Sequence, residues 1–351
     1  MQSGSRTDIS ELTASSPRSL SEKAARAGIY FRSDPWVNEL VGKVEKVLAD
    51  VVDSSGPVMR DIGRHMIFGH AKRLRPIFVL LGQSLIKDEI LPGTIECAAA
   101  AELVHCASLF HDDVIDEALT RKGKTSANVI WGNKSAVVIG DYFLVLAYTL
   151  LAKQHDFRII ELFVGMCRSL AEGIMKEIEN TGDIDVTEEM HLETIRRKTA
   201  AFFSTAAVVG GHIARADPEQ EKHLAEFGMN FGLAFQLSDD LLDFFSDPKD
   251  TGKPRGSDIR SGIYTIPLIR ALAENNDFAS RFKPLILSGD LTDTQVQGIS
   301  EALRSNGAME YVRGLVRMHA DKASEHLDRL PPGRARDAFR NLLHKIASRE
   351  Y

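Results

Sequence analysis

Apolar residues recur at helical spacing through most of the chain, and this pattern predicts helices almost throughout. The first predicted helix follows a possible N-cap at Asp34 and a proline at position 35, an order that favours a helix start. Its apolar positions are Trp36, Leu40, Val44, Val47, Leu48 and Val51. Turn-forming residues divide the rest into segments of helix length, and we find no convincing alternating strand pattern. The pattern predicts an all-α fold, a large bundle with many buried helices around a central hydrophobic cavity.

The two ends of this pattern suggest how the chain is organised. Residues 1–30 are Ser-rich and polar, so we interpret them as a mobile tail and residues 31–351 as a single all-α domain. The tail has no apolar core of the kind that a secretory signal needs. The apolar stretch 136–152 is short for a membrane span and carries Asp141, which favours a buried core helix. The stretches 94–119 and 224–246 have few polar positions besides their acids, which is typical of helices at the centre of a bundle.

Both central stretches carry the same acidic pattern. Asp112, Asp113 and Asp116 are repeated in spacing by Asp239, Asp240 and Asp243. On a helix, the first and last acids of each triplet lie about 40° apart and share a face. One such triplet is common on a solvated face, but two in apolar surroundings need a compensating cation. Oxygen ligands suit a hard divalent ion such as Mg²⁺, which combines carboxylates with substrate phosphates. The pattern therefore predicts a site for a diphosphate head and a hydrocarbon tail.

Composition limits the alternatives. With 351 residues, 44% hydrophobic and 26% charged, the chain has the makeup of a soluble globular protein. A net charge of −6 and the lack of a basic arm argue against nucleic-acid binding. Three cysteines without zinc-type spacing or a disulfide framework suit a reducing compartment. We therefore expect a cytoplasmic protein with no transmembrane segment.

With these motifs in order, the sequence resembles the trans-isoprenyl diphosphate synthases, and in particular the long-chain type. The matching pieces are KRLRP (72–76), ELVHCASLFHDDVID (102–116), RKG (121–123), GD (140–141), RKTA (197–200) and FQLSDDLLDFFSDPKDTGKPRGSDI (235–259). The resemblance implies the isoprenoid synthase fold and a Mg²⁺-dependent prenyltransferase. Such an enzyme condenses isopentenyl diphosphate head to tail with an allylic diphosphate: dimethylallyl, geranyl, farnesyl or geranylgeranyl. The family also suggests a homodimer.

The resemblance assigns roles to individual residues. Metal ligation is expected from Asp112, Asp116, Asp239 and Asp243, with Asp113 and Asp240 acting behind them. Arg121, Lys198, Gln236 and Lys253 would contact the allylic diphosphate, and Lys72, Arg75, His105 and Lys122 the isopentenyl diphosphate. Asp112, Asp116, Asp239 and Lys198 would be the catalytic set. From the residues alone, the basic turn at 72–75 also fits a solvated surface, His105 a core histidine and Lys198 a surface residue.

Product length is partly readable. Ala107 and Ser108 precede Asp112 by five and four residues, which places them about 6–7.5 Å below the metal end. In the family a bulky aromatic residue there stops growth early, so two small residues predict a tunnel that continues and a long all-trans product. We expect Leu144, Val145 and Tyr148 to line its deeper part. The other interpretation is ordinary core packing by small residues.

Three positions depart from the family pattern. Ala71, Lys122 and Ile263 stand where glycine, arginine and lysine are usual. Lys122 replaces a two-pronged donor by a point charge, and Ile263 removes a cation. Two alternatives therefore remain open at this stage: a regulatory or partner-dependent subunit of a heteromeric synthase, and a class I terpene cyclase. A cyclase usually carries an Asn/Ser/Glu-type second motif, whereas this chain has DDLLD.

Overall fold

A computed structural model of the protein describes residues 34–67, 71–121, 123–245 and 255–349. The helices, in chain order, are α1 (Pro35–Asp53), α2 (Pro57–Ile67), α3 (Leu74–Ile86), α4 (Thr94–Ile115), α5 (Ala127–Trp131), α6 (Asn133–Ala152), α7 (Phe157–Asn180), α8 (Glu188–Ile195), α9 (Ala201–Ile213), α10 (Pro218–Phe245), α11 (Ser257–Arg260), α12 (Ile266–Glu274), α13 (Asn276–Leu287), α14 (Asp293–Ser305), α15 (Ala308–Asp328) and α16 (Arg334–Ala347). A π-helical turn (Arg196–Ala200) joins α8 to α9, and the short strands β1 (Thr120–Arg121) and β2 (Lys124–Thr125) pair antiparallel. The all-α prediction is confirmed, with this small hairpin as an addition. The predicted tail at 1–30 lies outside the described residues.

The start of α1 shows why these residues form a helix. The Asp34 carboxylate accepts hydrogen bonds from the backbone nitrogens of Trp36 and Val37, at 3.0 and 3.3 Å, and so satisfies two donors that the first turn leaves without a helical partner. Pro35 occupies the first helical position. The predicted N-cap is therefore confirmed. The buried face comprises Val37, Leu40, Val44, Leu48 and Val52, so it is turned slightly from the predicted one.

The two acid-bearing helices lie in the interior. Residues of α4 are buried on all sides from Cys97 to Val104, and α10 is buried along most of its second half. Helix α4 ends at Ile115, earlier than the predicted 119, with Asp116 as its C-cap and Glu117 in the left-handed region at φ 49°. The first acidic triplet therefore spans a helix end, and Asp116 lies where the chain turns away.

Helix α9 holds the centre of the bundle together, because it packs against both α3 and α10. Gly210 allows the approach to α3: a methyl group added there would lie 2.2 Å from the carbonyl oxygen of Val79. An aromatic cluster fills the same region, with Phe78 of α3 within 4.6–5.7 Å (ring centroids) of Phe203, Phe227, Phe231 and Phe339. This cluster fixes α3, α9, α10 and α16 relative to one another.

Helix α6 is buried on one side only. Phe143 packs edge-on against Phe110 of α4, with ring centroids 5.3 Å apart, while Val137, Val138 and Val145 are exposed by 41%, 57% and 58%. The prediction of a buried core helix at 136–152 is therefore confirmed for the inner face and wrong for the outer face, where Val145 points away from the bundle. By length and composition α6 is the one helix among the described residues that could cross a membrane. This is weak evidence for a membrane span, because the inner face of α6 belongs to the core.

Candidate active site

The first acidic cluster gathers around Asp112 at the end of α4. Burial raises the pKa of the Asp112 carboxyl, Asp116 and Glu177 raise it further, and Lys198 and Arg121 oppose them. Lys198 donates to the Glu177 carboxylate of α7 at 2.5 Å. Burial alone would lower the pKa of Lys198, but Glu177, Asp112 and Asp116 together raise it. The structure thus brings the predicted residues Asp112, Asp116 and Lys198 together and adds Glu177 to them.

Asp113 and Arg121 form a unit behind this cluster. The fully buried Asp113 carboxylate accepts a hydrogen bond from Nε of Arg121 at 2.5 Å, and the Asp113 carbonyl oxygen accepts one from Asn128 at 3.0 Å. Arg121 reaches this position from β1, and Gly123, with φ 76°, forms the turn that follows. Asp113 therefore holds Arg121 beside this cluster, and its role behind metal ligands stays a prediction. The predicted contact Lys122 lies outside the described residues.

The second acidic cluster on α10 is tied to other parts of the chain. Asp239 accepts a hydrogen bond from Nη1 of Arg349 at 2.7 Å. Asp240, which is 2% exposed, accepts hydrogen bonds from Gln236 Nε2 at 3.1 Å and pairs with His191 Nε2 at 2.8 Å. The side-chain oxygen of Gln236, Oε1, accepts a hydrogen bond from the Thr199 hydroxyl at 3.0 Å. Asp240 and Thr199 thus orient the Gln236 amide between them.

Asp243 is engaged differently from the other candidate ligands. Its carboxylate accepts hydrogen bonds from the backbone nitrogen and the hydroxyl of Ser257, at 3.0 and 2.6 Å, and from the backbone nitrogen of Asp258 at 3.2 Å. It therefore holds the start of α11 against α10. Direct ligation of a metal ion by Asp243 would require some of these bonds to be replaced. The predicted contact Lys253 falls in 246–254, outside the described residues.

The two acidic clusters approach the same cation. The half-buried Arg75 guanidinium lies close enough to both Asp112 and Asp239 to be attracted by each, although burial lowers the pKa of Arg75 more than these acids restore it. Its Nε is buried and makes no hydrogen bond within the described residues. Arg75 also lies over the rings of Phe202 and Phe203, at 5.0 and 5.4 Å from their centroids. Asp112 and Asp239 therefore both act electrostatically on Arg75, which links the two acidic clusters.

The basic turn at 72–75 is built around its middle arginine. Arg73 adopts the left-handed conformation at φ 52° and is only 5% exposed. Its guanidinium donates to Glu45 of α1 at 2.6 and 3.0 Å, to Glu102 of α4 at 2.6 Å and to the Ile67 carbonyl at 2.7 Å. Burial by itself would lower the pKa of Arg73, but Glu102 and Glu45 raise it above its ordinary value. A solvated basic turn is therefore excluded for Arg73, and its bonds fix the segment that carries Lys72 and the start of α3, where Arg75 lies.

Lys198 lies in the π-helical turn between α8 and α9, an irregularity that often occurs at functional sites. Gly173 of α7 lets this turn come close, because a methyl group added there would lie 2.6 Å from the Lys198 backbone nitrogen. Arg197 points outward to Glu193 and Glu172, in agreement with a surface position.

The remaining predicted residues lie on α4. His105 is half-buried, Ala107 is 1% exposed, and the half-buried Ser108 donates its hydroxyl to the His105 carbonyl oxygen at 2.8 Å. On α6, Tyr148 donates its hydroxyl to Cys167 of α7 at 3.5 Å, so it faces inward as predicted, unlike Val145. Both small residues lie on the helix below Asp112, as the sequence predicted.

A divalent metal ion fits the donor set of this site. Asp112 carries a raised pKa because it is buried beside two more acids, so the site calls for more positive charge than Lys198 and Arg121 bring. Carboxylate oxygens are the donors that Mg²⁺ and Ca²⁺ prefer. Among the described residues no group of three or more His, Cys, Asp or Glu is arranged to hold a metal ion unaided. Ligands from the substrate's own phosphates would complete such a shell.

Comparisons with known proteins agree with this geometry. The family model described as polyprenyl synthetase matches residues 57–303. The chain is 32% identical over 319 residues to an octaprenyl diphosphate synthase of Escherichia coli, covering 90% of this chain and 98% of the relative. It is 29% identical over 331 residues to heptaprenyl diphosphate synthase component 2 of Bacillus subtilis, covering 91% and 94%.

The fold is also similar to solved structures. A polyprenyl synthase from Caulobacter crescentus, complexed with calcium and isoprenyl diphosphate, superposes with a TM-score of 0.85 at 29% identity, covering 93% of this chain and 98% of that one. The chain therefore belongs to the polyprenyl synthetase family. It is a prenyltransferase of the class that makes trans-polyprenyl diphosphates, as the sequence motifs predicted.

Proposed function

We propose that the protein condenses isopentenyl diphosphate with an allylic diphosphate to give a long all-trans polyprenyl diphosphate and pyrophosphate, with Mg²⁺ as the cofactor. The observation that carries the proposal is that Asp112 and Asp239, one from each acidic cluster, both act electrostatically on Arg75, while Lys198, Glu177 and Asp116 act on Asp112. Two anionic head groups need both kinds of partner: carboxylates with metal for one, and cations for the other.

In this proposal Asp112, Asp116 and Asp239 hold the metal ions, and Asp243 acts through water because its oxygens are engaged by Ser257 and Asp258. Mg²⁺ held by these carboxylates would supply positive charge that neutralises the departing pyrophosphate. Arg121, Lys198 and Gln236 orient the allylic diphosphate, with Lys253 as a further proposed contact. Lys198 keeps its proton because its pKa is raised, so it can stabilise an anion throughout the cycle.

Lys72, Arg75, His105 and Lys122 are proposed to bind the second diphosphate. The Arg73 ion pairs hold Lys72 and Arg75 in a fixed relation to α4, so the double bond of isopentenyl diphosphate can be kept beside the allylic carbon. The final proton goes to the released pyrophosphate, and no side-chain base is required.

Several finer points belong to the same proposal. A homodimer is supported by the exposed apolar side chains of α5 and α6, namely Val129, Ile130, Val137, Val138 and Val145. A cytoplasmic location agrees with the three free cysteines. Residues 31–351 are proposed to act as one domain, and the allylic primer as dimethylallyl, geranyl, farnesyl or geranylgeranyl diphosphate.

The direct test is incubation of the purified protein with Mg²⁺, labelled isopentenyl diphosphate and each allylic primer, followed by sizing of the products. Long labelled products that need both substrates would support the proposal. Product from the allylic substrate alone would favour a terpene cyclase instead. Asp239→Asn should remove the activity, whereas Asp337→Asn, at an exposed carboxylate on α16, is a control that should retain it.

A second candidate function, a partner-dependent subunit, rests on the similarity to heptaprenyl diphosphate synthase component 2 of Bacillus subtilis. If this chain needs a partner subunit, the purified protein will make no product although Asp112, Asp116 and Asp239 are intact. Activity that appears only on adding a second protein from the same cells would support this alternative and exclude the homodimer.

A further inference from the structure

His191 of α8 is a buried histidine beside the second acidic cluster, and it lies outside the sequence motifs. It is only 8% exposed, and its Nε2 lies 2.8 Å from Oδ2 of Asp240. A carboxylate accepts hydrogen bonds, so His191 acts as the donor. Gln236 Nε2 donates to the other oxygen of the same carboxylate, Oδ1, at 3.1 Å. Each oxygen of the buried Asp240 carboxylate therefore has a donor, one from α8 and one from α10 itself.

The Asp240 carboxylate determines which way the Gln236 amide points. The amide nitrogen must face this acceptor, so the amide oxygen faces the other side, where the Thr199 hydroxyl donates to it at 3.0 Å. If the amide were turned over, two acceptors would lie in contact and their hydrogen bond would be lost. Gln236 Nε2 carries a second hydrogen, for which the described residues provide no acceptor. This arrangement leaves one N–H of Gln236 for a ligand.

Helix α8 holds His191 in place independently of Asp240. Glu188, at the start of α8, accepts a hydrogen bond from the Tyr311 hydroxyl of α15 at 2.7 Å. Thr194 and Ile195, in the last turn of α8, are buried. The helix is therefore anchored on both sides of His191. Because the imidazole extends from a fixed helix, it can restrain the Asp240 carboxylate before any ligand binds.

We propose that His191 is a positioning residue for the allylic diphosphate. It holds the Asp240 carboxylate, the carboxylate orients the Gln236 amide, and the amide is a proposed contact of that diphosphate. His191 itself does not touch the substrate, and no step of this chain leads to isopentenyl diphosphate. The two substrates should therefore respond differently to a change at this position. This inference rests on the proposed function.

The test measures the KM of each substrate for the wild type and three variants of His191. His191→Leu keeps the bulk and removes the donor, so the KM of the allylic diphosphate should rise about tenfold, and that of isopentenyl diphosphate by less than about twofold. His191→Gln should restore most of the affinity, because its side-chain nitrogen reaches about as far from the backbone as Nε2. His191→Asn should not restore it, because its nitrogen reaches only as far as Nδ1.

A double variant separates positioning from a merely structural role. In a Gln236→Ala background there is no amide left to orient, so His191→Leu should raise the allylic KM much less than it does in the wild type. A full effect of His191→Leu in this background would overturn the inference.

His212→Leu is a matched control. His212 of α9 is also paired with carboxylates, Asp156 at 3.0 Å and Glu221 at 3.4 Å, but it lies about 17 Å along α9 from Ala201. Both KM values should stay as in the wild type. Circular dichroism and the melting temperature check that each variant folds.

An unchanged allylic KM in folded His191→Leu would overturn the inference, as would an equal rise in both KM values or an equal effect of His212→Leu. If the leucine variant does not fold, the comparison of His191→Asn with His191→Gln decides. Failure of the proposed function looks different, because the wild type would then make no polyprenyl product. Calorimetric binding of geranyl diphosphate with Ca²⁺, compared between the wild type and the same variants, would still give its own answer.

Discussion

The carboxylate of Asp112 is held in a state that favours binding of a cation. Burial and the neighbouring Asp116 and Glu177 raise its pKa, so its charged form is costly until positive charge arrives. Asp239 differs, because it is already paired with Arg349. Asp112 therefore lies where a metal ion would relieve an existing electrostatic cost.

Asp112→Asn should lower the condensation rate at least about 100-fold, because an amide cannot replace a carboxylate ligand in charge. The melting temperature should not fall, since the change removes a buried carboxylate whose ionised form is disfavoured. Rate measurement and circular dichroism check the two parts. Loss of helicity would instead show that Asp112 has a structural role.

The raised pKa of Asp112 also predicts a pH dependence of metal binding. Metal requires the deprotonated carboxylate, so affinity is highest above the pKa and falls as the pH is lowered through it. The fall should begin at a higher pH than for an ordinary aspartate, because the pKa of Asp112 is raised. Calcium titrations of folded protein across the acidic range measure it. In Asp112→Asn this early part of the fall should be missing, and its persistence would assign it to another group.

Ala107→Phe should shorten the product. Ala107 lies on α4 about 7.5 Å below Asp112 along the axis and is fully covered, so a ring there would enter any channel that passes α4. Product sizing with the variant and with the milder Ala107→Val should show a graded change. The same product lengths in a folded Phe variant would remove Ala107 from the channel wall.

At this scale the sequence predicted the residues that carry a repeated motif and missed their partners. Asp112 and Asp239 were found because the spacing of acids is repeated. Glu177 and His191 come from other helices and Arg349 from the residues after α16, and none of the three carries a local pattern. Thr199 did have a signal, since it lies inside the RKTA piece. Only packing shows that Arg73 is structural while Lys72 and Arg75 border the site.

Among the elements, the π-helical turn at Arg196–Ala200 positions Lys198 against α7 at Gly173. Gly173→Ala should push this turn away, because the added methyl group would meet backbone atoms rather than a flexible side chain. We expect at least about a tenfold loss of rate and a lower melting temperature.

Gly165→Ala is a matched control for Gly173→Ala. It lies on the same helix α7, and a methyl group there meets nothing within 4 Å. Its activity should be retained and its stability slightly raised, because alanine favours the helix over glycine. Equal losses in both variants would mean that the helix as a whole, and not the contact at Lys198, is sensitive.

Element boundaries followed the sequence less closely than element identity. The apolar pattern of 94–119 does not show that α4 ends at Ile115, since the end depends on Asp116 and Glu117 leaving helical geometry. By contrast, Asp34 and Pro35 predicted the start of α1 correctly, because a helix cap depends on neighbouring residues only. Local rules were visible in the sequence, and tertiary ones were not.

For the whole molecule, the exposed valines of α6 are the feature that predicts assembly. Val138 and Val145 are seven residues apart and so share one face, which is exposed by more than half. Val138→Asp should convert a dimer to monomers, as sedimentation would show. Leu287→Asp on α13 changes a similarly exposed residue, 56%, and should leave the assembly intact. Monomeric wild type would contradict the dimer.

The all-α bundle was predictable because helical periodicity persists along the chain. The exposure of one side of α6 was not predictable, since composition alone cannot distinguish an apolar face that packs in the core from an apolar face that is exposed.

The ion pairs of Arg73 have a practical consequence for shortened versions of this protein. Glu45 belongs to the first described helix, yet its carboxylate is one of the two that neutralise a guanidinium beneath the substrate site. Deleting that helix would leave the buried guanidinium of Arg73 with only one of its two carboxylate partners. We expect a raised KM for isopentenyl diphosphate as the result. A defect in catalysis can therefore originate in a deletion that touches none of the aspartates.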